Sequence, residues 1–278
     1  MTDQWGAVMS RNVAFVLPTL ILSLTADSIC IPLVPVPPLQ LFLLAGQSNM
    51  AGRGTVEPED RVPHPRVWVL NRQEEWMAAV DPLHFDKRIA GVGPGRSFGI
   101  ALANAEASAN IGLVPVAVGG SPISAWAPGA VHSQTGSKPY DDAIRRIRVA
   151  KAAGEFKAFL WHQGENDSGE TATPDYEARL TTLIGRLRAE VNDAALPVLI
   201  GQLGRFADAP WGASRSEIDG VHRKLARELP NVVFVSSVGL VHKGDRVHFD
   251  SASARELGRR YAEAYQAIKR KTSGDLHR

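Results

Sequence analysis

Leu41-Phe42-Leu43-Leu44-Ala45-Gly46-Gln47-Ser48-Asn49-Met50-Ala51-Gly52 is an apolar run that ends abruptly in a small, polar turn carrying a serine. A stretch with an apolar residue at every position suits a strand buried on both faces, as in a parallel sheet. The glycines at 46 and 52 let the backbone turn sharply and come close to a substrate. Ser48 is thereby expected at the carboxyl end of a first strand, the edge at which open α/β sheets bind ligands.

Working outward from that stretch, strand and helix signals alternate. Further strands are expected at Val67–Leu70, Val114–Val118, Phe156–Trp161, Pro197–Gln202 and Val232–Ser236. Between them, helical spacing appears around Phe98–Ser108, from Asp141 with Ile144, Ile147 and Ala150 on one side, and after Pro174 with Tyr176, Leu180, Leu183, Ile184, Leu187 and Val191. Ile218, Val221, Leu225 and Leu229 mark another helix. A last one pairs Ser253 with Glu256 as a capping box and turns Leu257, Tyr261, Tyr265 and Ile268 inward. Ser121–Gly129 reads as a loop. Gly91–Arg96 reads as a glycine-rich turn with Arg96 toward the cleft; it has neither the lysine of a Walker motif nor dinucleotide-binding glycine spacing. The alternation predicts an α/β fold, a three-layer α/β/α sandwich with a mainly parallel central sheet.

The chain has 278 residues, 44% hydrophobic and 22% charged, enough for one domain with a large core. Its 31 Lys and Arg against 29 Asp and Glu give no electrostatic case for nucleic acid or an anionic membrane. The basic clusters Arg145-Arg146-x-Arg148 and Lys269-Arg270-Lys271 read as solvated faces. Cys30 is the single cysteine, so no internal disulfide is possible. Residues 1–39 read as a signal-peptide-like segment, with Arg11 before the apolar run Val13–Leu24, followed by a linker with Pro35, Pro37 and Pro38. Export to the periplasm or outside the cell is the expectation, with a membrane-anchored or cytoplasmic protein as the alternative. Residues 40–270 form the expected catalytic domain and 271–278 a polar tail. No later segment is apolar enough to cross a membrane.

A serine hydroxyl is a poor nucleophile without a base. Near the far end of the chain, Asp245-Arg246-Val247-His248 places a carboxylate three residues before an imidazole. On a tight turn Asp245 can hold one ring nitrogen of His248 and leave the other to face Ser48. His162-x-x-Glu165 suggests a metal pair, but no second cluster with ligand-like spacing accompanies it, so neither a metal nor a cofactor is expected.

Gly46-Gln47-Ser48-Asn49-Met50, Gly119-Gly120 after an apolar strand, Trp161-His162-Gln163-Gly164-Glu165-Asn166-Asp167 and Asp245-x-x-His248 occur in the order found in SGNH-type hydrolases. Over roughly residues 40–268 the chain resembles the carbohydrate esterase branch that includes acetylxylan esterases and sialate O-acetylesterase-like domains. The resemblance implies a flavodoxin-like SGNH fold and a serine esterase that removes O-acetyl groups from a carbohydrate through an acyl-enzyme. It implies Ser48, Asp245 and His248 as catalytic residues. For the oxyanion it implies the Ser48 and Gly120 N–H groups and the Gln163 amide, with Gly119 and Asn166 as near alternatives. Gln47, Asn49, Gly119 and Glu165 are supporting candidates. Trp126, Trp211 and Phe206 are candidates to stack on a sugar. The partner expected is an acetylated carbohydrate or other small-acyl ester. Alternatives are a lipase, a thioesterase, or a non-catalytic carbohydrate-binding module on the same fold.

Overall fold

The structure, a computed structural model, describes residues 38–169, 171 and 173–275, the last four by their backbone alone. The leader-like segment before residue 38 lies outside the described residues. Among these residues seven strands form one sheet: β1 (Leu39–Gly46), β2 (Val67–Leu70), β3 (Trp76–Ala78), β4 (Ile111–Pro115), β5 (Gly154–His162), β6 (Val198–Gly201) and β7 (Val232–Val235). Their order is β3-β2-β4-β1-β5-β6-β7, and every pairing is parallel except β3 on β2. The helices are α1 (Ser48–Ala51), α2 (Pro94–Ala105), α3 (Pro139–Ala150), α4 (Tyr176–Val191), α5 (Ala213–Glu228) and α6 (Ser251–Asp275).

The continuous apolar run of β1 follows from its central place. Phe42 and Leu44 join the core that α2 and α6 cover, whereas Leu39, Leu41, Leu43 and Ala45 join the core on the opposite face, under α3, α4 and α5. The alternation of strand side chains sends consecutive residues from Leu41 to Ala45 into two different apolar layers, so that run is apolar throughout, and Gln40 near the strand's start is only half-buried. Phe42 meets the rings of Phe98 and Tyr265 edge-on, at centroid distances of 4.9 and 5.1 Å. Each such contact adds about 0.5–1.5 kcal/mol beyond area burial. They lock α2 and α6 to the strand that leads into Ser48.

Several local expectations need correction. β4 lies earlier than Val114–Val118, because its ladder turns one-sided after Pro115; the Val116 and Val118 N–H groups still bond to Leu44 and Gly46 O at 3.0 Å each. The Ser121–Gly129 loop contains a 3-10 turn at Ile123–Trp126. α2 opens at Pro94, inside the glycine-rich turn, with proline's fixed φ suiting the first helical turn. α6 starts at Ser251, and its first turn is capped by Asp250, whose carboxylate accepts the Ser253 N–H at 2.7 Å. Ser253 Oγ instead accepts the Val241 N–H at 2.9 Å. The same helix continues to Asp275, into the segment read as a tail. Arg146 is no solvated residue: it is 2% exposed and donates to the carbonyls of Leu70 and Asn71. No helix of the described residues is long and apolar enough to cross a membrane.

Candidate active site

The carboxyl ends of β1, β4 and β5 converge on Ser48. Gly46 ends β1 beside His162 at the end of β5, with φ +131°, and a Cβ there would lie 2.1 Å from the His162 carbonyl oxygen. Only glycine lets the two strands stay paired at this point. The chain then enters the one-turn helix α1 with Ser48 as its first residue. The Ser48 N–H, at a position where helices have no internal acceptor, makes no hydrogen bond among the described residues.

The Asp245–His248 loop reaches the same edge. It turns tightly through Gly244 and Arg246, both at positive φ, and closes with the Lys243 N–H on His248 O at 2.9 Å. His248 Nε2 stands 3.0 Å from Ser48 Oγ, across 200 residues of sequence, and His248 Nδ1 stands 2.7 Å from Asp245 Oδ2. Asp245 Oδ1 accepts the backbone N–H groups of Val247 at 3.0 Å and His248 at 2.8 Å. Partial burial pushes the Asp245 carboxyl up, but the His248 N–H, the His248 ring and the Val247 N–H outweigh it and hold the group at about 2. Asp245 is therefore ionised at neutral pH.

Gly119-Gly120 lies beside this pair because the Val118 N–H bonds to Gly46 O, two residues before Ser48. The two glycines are not equivalent. The Gly119 N–H is committed to Asp86 Oδ2 at 2.8 Å, and that oxygen also holds Arg53 at 2.7 Å in an ion pair whose side chains are 1% and 2% exposed. The Gly120 N–H has no hydrogen bond among the described residues, and its φ of +80° is a conformation that side chains disfavour.

Gln163 departs from the role its motif implies. It is fully buried, and its Nε2 faces Asp167 Oδ2, the Ser121 carbonyl at 3.1 Å and Gln47 Oε1 at 3.3 Å. Its Oε1 accepts the Tyr176 hydroxyl at 2.9 Å, and that hydroxyl stands 2.9 Å from His222 Nε2. An amide has two N–H bonds, and here both are directed inward. Asn166 has its backbone N–H on Gln47 Oε1 at 3.3 Å and its side chain exposed. Gln47 thus anchors the whole loop after β5, accepting also from Gly164 N at 3.5 Å. Burial raises the Asp167 carboxyl, against the Gln163, Thr173 and Ile123 hydrogen bonds that lower it. Burial also pushes the His222 imidazole down to about 3, so it stays neutral.

Glu165 and His162 are neighbours, with His162 Nε2 3.7 Å from Glu165 Oε1. His162 Nδ1 lies 3.3 Å from the Tyr261 hydroxyl, its ring is kept neutral by burial, and Glu165 bonds Asn49. Among the described residues no group of three or more His, Cys, Asp or Glu is arranged to hold a metal ion. Arg96 faces away from the cleft, 8% exposed, and donates to the carbonyls of Glu59 and Val62. Two of the three aromatic candidates are core. Trp126 is 2% exposed and packs edge-on against Trp161 at 5.1 Å, while Phe206 is 3% exposed against Phe249 at 5.4 Å. Trp211 is half-buried under the Arg205 guanidinium, with its indole N–H on Gly204 O at 2.8 Å. The Arg53–Asp86 pair and Tyr176 are participants that sequence reading missed. A charged residue in the run Gly52-Arg53-Gly54, directly after the serine turn, was the signal for the first.

A family profile described as carbohydrate esterase, sialic acid-specific acetylesterase, matches residues 38–267. A probable carbohydrate esterase of Arabidopsis thaliana is 36% identical over 253 residues, covering 83% of this chain and 92% of the plant protein. A solved Arabidopsis thaliana structure superposes with a TM-score of 0.72 at 33% identity, covering 83% of this chain and 99% of that one. The fold is also shared with NanS, at TM-score 0.70 and 19% identity over 84% of this chain and 98% of that one. A carbohydrate acetylesterase from Xanthomonas citri shares it too, at TM-score 0.62 and 23% identity over 81% of this chain and 55% of that one.

Proposed function

We propose, from the premise that the chain belongs to the carbohydrate esterase family of sialic acid-specific acetylesterases, that Ser48, His248 and Asp245 hydrolyse O-acetyl esters of a carbohydrate through an acetyl-enzyme. Family membership makes the protein a carboxylic ester hydrolase. The observation that carries the mechanism is the unbroken chain from Ser48 Oγ to His248 Nε2 at 3.0 Å and from His248 Nδ1 to Asp245 Oδ2 at 2.7 Å. With Asp245 ionised, the imidazole is held as the Nδ1–H tautomer, and Nε2 is the free base.

Ser48 Oγ attacks the acetyl carbonyl while its proton passes to His248 Nε2. The oxyanion is received by the Ser48 and Gly120 N–H groups, donors at this edge that have no acceptor among the described residues. Collapse breaks the bond to the sugar oxygen, which leaves with the proton from His248. Water then attacks the acetyl-Ser48 ester, His248 again takes and returns a proton, and acetate departs. Gln163 supports this site by bracing the loop after β5 against Asp167 and Ser121.

The test compares wild type with Ser48→Ala on 4-nitrophenyl acetate and on acetylated saccharides, with circular dichroism to establish the fold. Loss of the nucleophile should lower turnover on the order of a millionfold, effectively to background. Unchanged acetate release would reject the assignment. A 4-nitrophenyl octanoate rate above the acetate rate would favour a lipase or other acyl hydrolase instead.

A further inference from the structure

We infer that Asn49 is the positioning residue that sets the separation between nucleophile and base, with Glu165 fixing its orientation; this rests on the Ser48–His248 reading and adds the group that joins its halves. Ser48 and His248 ride on separate pieces of backbone, the α1 turn and the 243–248 loop. Asp245 cannot register one against the other, because it belongs to the same loop as His248 and moves with it. Asn49, adjacent to Ser48 and 3% exposed, does bridge them. Its Nδ2 donates to Val247 O at 3.1 Å, and its Oδ1 accepts the Phe249 N–H at 3.1 Å. One side chain thus grips the backbone on both sides of His248.

The second N–H of that amide goes to Glu165 Oε1 at 2.6 Å. A carboxylate only accepts, so Asn49 cannot turn end for end without setting oxygen against oxygen and forfeiting both bonds to the loop. The Glu165 side chain is 6% exposed and follows β5, the strand paired with β1, so the clamp is referred to the centre of the sheet. The Phe249 ring adds a non-polar contact, edge-on to His162 at 5.7 Å; among the loop's polar ties, His242 Nε2 and Arg246 to Asp208 and the Val241 N–H to Ser253 Oγ hold its far end. None of these polar ties reaches the serine side of the site, and a ring contact sets no hydrogen-bonded register.

A misplacement of about 1 Å between reacting groups can cost about 100-fold in rate. Because Asn49 is spent on the loop and on Glu165, its loss should act on kcat and leave KM alone. The experiment measures 4-nitrophenyl acetate hydrolysis by wild type, Asn49→Ala, Glu165→Ala, Glu165→Gln and Ser48→Ala. The expected result is a kcat about 100-fold lower in Asn49→Ala with KM within twofold, and an acid limb of kcat/KM that does not move, since Asp245 and His248 stay paired on their own loop. Glu165→Gln, which keeps an acceptor oxygen for Asn49, should recover at least tenfold over Glu165→Ala. If Asn49→Ala fails to fold, the Glu165 pair decides, and equal rates for its two variants overturn the inference. An inactive Ser48→Ala beside an Asn49→Ala within threefold of wild type also overturns it, and leaves the esterase reading standing. An active Ser48→Ala overturns both.

Discussion

Replacing Asp245 by asparagine, a change of one atom, tests how the imidazole is held. In the native loop Oδ1 accepts two backbone N–H groups, at 2.8 and 3.0 Å, and Oδ2 accepts His248 Nδ1–H at 2.7 Å. An asparagine at 245 has one oxygen and one NH2 for these two places. Setting the oxygen toward the ring would give up two backbone bonds, each worth about 0.5–1.5 kcal/mol, and press the NH2 against two other donors. The oxygen should therefore stay on the backbone and the NH2 should face Nδ1. The ring must then carry its proton on Nε2, where it can no longer accept the one from Ser48. An imidazole stranded in the wrong tautomer costs about ten-thousandfold in kcat, roughly 5.5 kcal/mol of transition-state stabilisation. Asp245→Ala leaves the ring free to choose and should be no slower than Asp245→Asn. Steady-state hydrolysis of 4-nitrophenyl acetate by the three proteins decides it. An asparagine variant within tenfold of wild type, or faster than the alanine variant, would refute the reasoning.

Two stability predictions accompany it. Asp86→Ala leaves the Arg53 guanidinium, 2% exposed, without its carboxylate and should cost about 3–5 kcal/mol in urea unfolding; a loss below about 1 kcal/mol would show that Arg53 finds another partner. Burial raises the Asp81 carboxyl from 3.8 to about 7, against the pull of Arg96, so between those values the folded state holds a proton that the unfolded state has lost. Stability contributed by that group is then shed as pH rises from about 4 to about 7, and Asp81→Asn should gain in Tm over wild type by more at pH 8 than at pH 5. An equal offset at both values would rule out the titration.

The parallel strands were legible because burial on both faces writes them as unbroken apolar runs, as in Val67–Leu70 and Val198–Gly201. β3 was not: Trp76-Met77-Ala78 is three residues long, pairs on one side only, and leaves Met77 exposed at 44%. Ser48, Asp245 and His248 could be found as motifs because each lies on a turn its neighbours encode. The partners of Gln163 could not, since Ser121, Gln47 and Tyr176 reach it from separate parts of the chain. Hydropathy also fails to distinguish a rim aromatic from one folded inward, which is why Trp126 and Phe206 read as sugar platforms and are core.

The 200-residue gap between hydroxyl and imidazole also has a meaning in time. A ribosome synthesises the central strand and its serine early, yet the histidine loop and the helix behind it emerge only near the end of translation. On the proposed mechanism the nascent polypeptide until then carries a serine without its base, and the final helix, which packs Tyr265 against Phe42, is still to come. On that mechanism, turnover would report that synthesis has passed His248.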